Sequence, residues 1–149
     1  MASGGLLFTQ LLLTGHNALA PAQSAAYLAA QVRPLLAPAV PLYSVGYYDH
    51  TLNFYLERTV TLVVEQNEHG FGIAQEPWKF LPTFAEFSRR WSAHGEAYAI
   101  TTPEYYRRVI EPTGLPRERV AADTRRIVFR KPPGAADPAA PGAGAPPAR

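Results

Sequence analysis

Two short extended runs, residues 42–48 and 59–64, flank a stretch of eight residues with room for only about two turns of helix, and this spacing constrains the fold most. Leu42, Tyr43, Val45, Tyr47 and Tyr48 are the β-branched and aromatic types that suit a pleated, half-covered surface. The second run, Thr59 to Val64, is more apolar, as expected of a strand covered on both faces. Between them Asp49 is a good N-cap, because its carboxylate can accept from the amides that a first helical turn leaves free. The centre of the chain therefore reads strand, short helix, strand.

The flanking segments extend this alternation. Residues 21–36 place Ala25, Leu28, Ala29, Val32, Leu35 and Leu36 three and four apart, an amphipathic helix that Pro34 ends or kinks. Residues 71–81, FGIAQEPWKFL, show no period and read as a loop lying on the domain, held by Phe71, Trp78 and Phe80. Thr83 and Glu86 make a capping box before a helix over residues 83–94, whose Phe84, Phe87 and Trp91 form one stripe. Residues 97–101 are a third strand. Thr102 and Pro103 then start a helix over residues 104–110. Residues 119–122 and 126–130 form a hairpin about Asp123 and Thr124. From Pro132 onward the chain is mostly Pro, Gly and Ala, which predicts a disordered tail.

The pattern predicts one α/β domain: three layers, α/β/α, with a small mixed sheet, a closing C-terminal hairpin and that tail. The 149 residues suffice for a single core. The expected divisions are residues 1–20, 21–131 and 132–149. Residues 4–13, GGLLFTQLLL, are about half the length needed to span a bilayer and lack a preceding basic residue. They are either an N-terminal lead-in packed on the domain or the outer end of a membrane helix.

Composition excludes more than it assigns. The absence of cysteine removes disulfides, thiolate metal sites and a cysteine nucleophile. The net charge of +2 is small, and the pairs Arg89-Arg90, Arg107-Arg108, Arg125-Arg126 and Arg130-Lys131 fall in separate elements, which argues for solvated faces and against nucleic acid. His16, His50, His69 and His94 lie in four segments without metal-ligand spacing. Asp49 and His50 are adjacent, and neighbours at a helix start point apart, so a cap and an exposed first-turn histidine are expected. Ser44 lacks the flanking glycines of a nucleophile elbow. Tyr43, Tyr47, Tyr48 and Tyr55 read as core and rim packing, with sugar stacking as the functional alternative.

Several segments in order resemble one family. They are Leu12 to His16, LLTGH; Ser24-Ala25 opening a helix that ends Arg33-Pro34-Leu35-Leu36; and YSVGYYDHTLNFYLERTVTLV over residues 43–63. Phe71-Gly72, Gln75-Glu76-Pro77, and Pro82-Thr83 leading to Phe87 and Trp91 continue the series. Together they are similar to the C-terminal extracytoplasmic domain of bacterial family 39 glycosyltransferases, the group of the lipid A aminoarabinose transferase. The resemblance implies a domain on the periplasmic side of the inner membrane, attached to an enzyme that moves a sugar from a polyprenyl-phosphate carrier to lipid A or another envelope acceptor. It also implies that catalytic residues lie in the membrane portion, so none is assigned to this chain, and neither a metal nor a cofactor is expected. The expected partners are that membrane portion and a lipid-linked sugar or lipid acceptor. Tyr47, Tyr48, His50 and Trp78 are the expected contact residues. Two other readings stand beside this one: a free-standing soluble α/β binding module, and a hydrolase using Asp49 and His50.

Overall fold

The computed structural model describes residues 24–65 and 70–134. The expected lead-in over residues 1–20 and the tail beyond residue 134 lie outside the described residues.

Six strands form one mixed sheet in the order β3-β2-β1-β4-β6-β5. They are β1 (Leu42–Val45), β2 (Thr61–Val63), β3 (Phe80–Leu81), β4 (Ala97–Thr101), β5 (Glu118–Ala122) and β6 (Ile127–Lys131). The first four are mutually parallel, whereas β6 runs antiparallel to both β4 and β5. In β1, Ser44 lies opposite Leu62 of β2 on one side and Ile100 of β4 on the other.

The helices divide between the two faces. On the first, Leu28, Ala29 and Val32 of α1 (Ala26–Val32) and Leu52 and Leu56 of α2 (His50–Leu56) cover Leu42, Leu62, Tyr98, Ile100 and Val128. The short α3 (Gly70–Gln75) adds Ile73 to this face. On the second, Phe87 and Trp91 of α4 (Phe84–Ala93) cover Tyr43, Val45, Val63 and Phe129. The chain winds outward through α2 and α3 from β1 to β3, then crosses back past β1 by α4. Right-handed crossovers require the helix to change face when the winding direction reverses, and it does. The expected three-layer α/β/α domain with a mixed sheet and closing hairpin is thus the observed one.

Alternation explains the two cores. Tyr43 and Val45 point to the α4 face, and Leu42 to the α1 and α2 face. Ala97 and Ala99 leave space on the α4 face that the rings of Tyr43, Phe87 and Trp91 fill; Phe87 and Trp91 have centroids 5.4 Å apart. Trp91 also donates through Nε1 to the Pro116 carbonyl at 3.0 Å, which satisfies its buried polar atom. The caps read from sequence are present: Asp49 accepts from the Leu52 amide, Thr83 from that of Glu86, and Thr102 from that of Tyr105.

Other expectations need correction. The first strand ends at Val45 because Gly46 takes φ +65°, so Tyr47 and Tyr48 belong to a turn. A Cβ at position 46 would collide with the Tyr105 ring. Residues 71–81 are not a loop: they form most of α3, a 3-10 turn at Pro77–Lys79 and β3. Phe71 and Trp78 do not hold that segment, being exposed, whereas Ile73 and Leu81 pack inward. The helix expected over residues 104–110 is a single turn, α5 (Pro103–Tyr105), followed by a π turn at Tyr106–Ile110. Leu35 is exposed beyond the break at Pro34. Two members of the arginine and lysine pairs, Arg126 and Lys131, are buried rather than solvated.

Candidate functional site

The β1–α2 turn is built on a buried ionic network. The Ser44 hydroxyl donates to the Tyr47 carbonyl, folding the chain back after Gly46. The Tyr47 hydroxyl then donates to Oδ2 of Asp49, which also accepts from Arg126 Nε at 2.5 Å. Oδ1 of Asp49 accepts from Thr51 Oγ1 at 2.7 Å and from the Leu52 amide at 2.6 Å. Arg126 further donates to Asp123 Oδ2 at 2.9 Å and to Thr51 Oγ1 at 3.1 Å. The hairpin turn holds its own end, since Asp123 Oδ1 accepts from the amides of Arg125 and Arg126.

Burial alone would push the Asp49 carboxyl up. The hydrogen bonds from Tyr47, the Leu52 amide, Thr51 and Arg126 outweigh it and hold the pKa down at about 2. Burial, together with the adjacent Asp49, raises the Tyr47 phenol above its usual range. With four donors on its two oxygens, Asp49 has its acceptor sites filled. The group is therefore a structural pin between β1–α2 and the closing hairpin.

Beside this pin, a groove of about 290 Å³ opens between the β1–α2 turn, β2 and α3. Val60, Leu62 and Ile73 supply an apolar floor and Tyr48 a side wall. Arg58, Glu76 and Lys79 stand at its rim. Arg58 is fixed by donating to the carbonyls of Ala37 and Val40, and Lys79 pairs with Glu76 at 2.8 Å. Such a lining can receive an apolar group with a polar end. Among the described residues, no group of three His, Asp or Glu side chains is placed to hold a metal ion.

The four contact residues expected from sequence do not form one cluster. Tyr48 lines the groove, and the exposed His50 meets its ring edge-on, with centroids 4.7 Å apart and planes at 83°. Tyr47 turns instead into the Asp49–Arg126 network. Trp78 is 63% exposed on the 3-10 turn and lies outside the groove lining. Sequence reasoning missed Arg126 and Thr51 as partners of Asp49. The only hint was the short spacing from Asp123 to Arg126 inside the hairpin turn.

Residues 28–131 match the family described as the aminoarabinose transferase C-terminal domain. No curated protein matches. Among solved structures, the chain is similar to ArnT from Cupriavidus metallidurans in the apo state, with 33% identity and a TM-score of 0.71 over 78% of this chain and 21% of that one. The same protein bound to undecaprenyl phosphate gives 33% identity and a TM-score of 0.72 over 83% of this chain and 23% of that one. The chain thus spans about a fifth of the length of the protein it matches. With a family match across most of its length and a related structure at this identity, the chain belongs to the aminoarabinose transferase C-terminal domain family.

Proposed function

We propose that this chain is the non-catalytic C-terminal domain of a membrane glycosyltransferase that moves a sugar from a polyprenyl-phosphate carrier to lipid A or another envelope acceptor. The observation that carries the reading is the likeness to ArnT, one of whose structures holds undecaprenyl phosphate. The domain would stand on the periplasmic side of the inner membrane. Among the described residues no helix is long and apolar enough to cross a bilayer.

The state of the buried acid supports a structural role for Asp49 itself. Asp49 already accepts four hydrogen bonds, and its pKa of about 2 leaves it ionised at neutral pH, unfit as a general acid. The Tyr48 groove, with His50 at its side and the exposed Trp78 beyond, is the surface assigned to the membrane portion or to the acceptor lipid.

The decisive experiment incubates the purified chain with a polyprenyl-phosphate-linked sugar and lipid A. No transfer is expected, and measured turnover by the chain alone would overturn the non-catalytic role. In a full-length enzyme bearing this domain, Tyr48→Ala should raise the KM for the acceptor with little change in KM for the carrier-linked sugar. Unchanged kinetics would remove the groove from the acceptor path.

A further inference from the structure

We propose that Arg117 and Arg119, gathered on the ring of Tyr106, form a binding site for a phosphate group. The two guanidinium carbons lie 5.7 and 5.5 Å from the centroid of that one ring. Tyr106 is itself buried against Phe129, the register partner of Arg119, so the platform is fixed by the core.

Arg117 is held as a positioned charge. Its Nε donates to the Tyr106 hydroxyl at 3.3 Å, and its two terminal nitrogens donate to the carbonyls of Leu115 at 2.9 Å and Glu111 at 3.2 Å. Three of about five guanidinium N–H groups are thereby used, and the rest remain for a ligand. Arg119 is exposed, and its planar fork suits the oxygens of a phosphate.

The charges around the ring are not cancelled. Glu104 is engaged by Arg108 at 2.8 Å and Glu118 by Arg130 at 2.8 Å. Glu111 meets Arg117 through its carbonyl. Among the described residues, no carboxylate forms an ion pair with Arg117 or Arg119. Two like charges on one ring repel, and a phosphate bound beside them offsets that repulsion. Tyr106 also opens the π turn, a local geometry that recurs at functional sites. The ordering cost of Arg117 is met in folding, which favours binding of a small anion. This site does not depend on the assignment to a membrane enzyme.

Arginine Nε–Hε resonances of the isotope-labelled chain provide the test, titrated with inorganic phosphate and, separately, with phosphatidylcholine vesicles containing phosphatidic acid. Saturable shifts of Arg117 and Arg119 are expected. Arg119→Gln should weaken binding about 10-fold, Arg119→Lys less, and Arg125→Gln, an exposed change at the hairpin turn, not at all. Shifts with inorganic phosphate assign a free phosphate as ligand, and shifts with the vesicles alone assign a lipid headgroup. No saturable shift in either titration, or equal weakening by Arg119→Gln and Arg125→Gln, would overturn the site.

Discussion

Arg126 and Arg119 leave the same hairpin and meet opposite fates. Arg126 is 1% exposed and pairs with Asp49 and Asp123, whereas Arg119 is exposed and rests on an aromatic ring with no carboxylate. The difference lies in what each must be compensated for. A guanidinium withdrawn from water is tolerated only with its charge neutralised and its donors satisfied. One left at the surface can stay unpaired, because water screens it. Arg126 therefore belongs to stability and Arg119 is available for recognition.

The sharpest way to break this contrast is Arg126→Ala, which strands Asp49 in the interior. It should destabilise the domain by about 3–5 kcal/mol, read from denaturant unfolding. A loss below about 1 kcal/mol would mean the pair is far wetter than its burial implies. Next, Asp49→Asn combined with Arg126→Met should recover part of that loss, since neither member is then left charged and alone.

Acid provides a third measure. The folded pKa of Asp49, about 2, lies below its ordinary 3.8. The carboxylate thus contributes stability that is present above about pH 4 and lost as the pH falls through 2. The displacement corresponds to about 2 kcal/mol. Melting curves between pH 5 and 2 should show this loss in the native chain and a shallower one in Asp49→Asn. The smallest effect is expected from Arg119→Gln, within about 0.5 kcal/mol of the native stability.

What the sequence made legible was local. Asp49 as a cap, Thr83 with Glu86, Thr102 before Pro103 and the hairpin at Asp123 each follow from side chains within three residues of the backbone they serve. The layers were legible too, because apolar spacing sets which face each element buries. The Asp49–Arg126 pair was not, since its members are 77 residues apart and the spacing from Asp123 to Arg126 points only to the hairpin turn. Helix α3 was hidden because Gly70 and Gly72 are poor helix formers and one inward residue, Ile73, gives no period. The strand order was equally silent, for it depends on where α4 returns. Of the expected contact residues, Tyr48 and His50 meet beside the groove, as their nearness in sequence allows. The inward turn of Tyr47 was not legible, because it depends on the reversal at Gly46.

The pin between Asp49 and Arg126 also sets an order of completion. The acid enters the chain early, and its counter-charge arrives only with the last hairpin. A product cut short before residue 126 would have the helices and four parallel strands, yet carry an unneutralised carboxylate where β6 should lie. Such a fragment lacks the strand that joins β4 to β5, and faster proteolysis than that of the whole domain is the expected outcome. The salt bridge thereby makes the integrity of the whole domain conditional on its final strand.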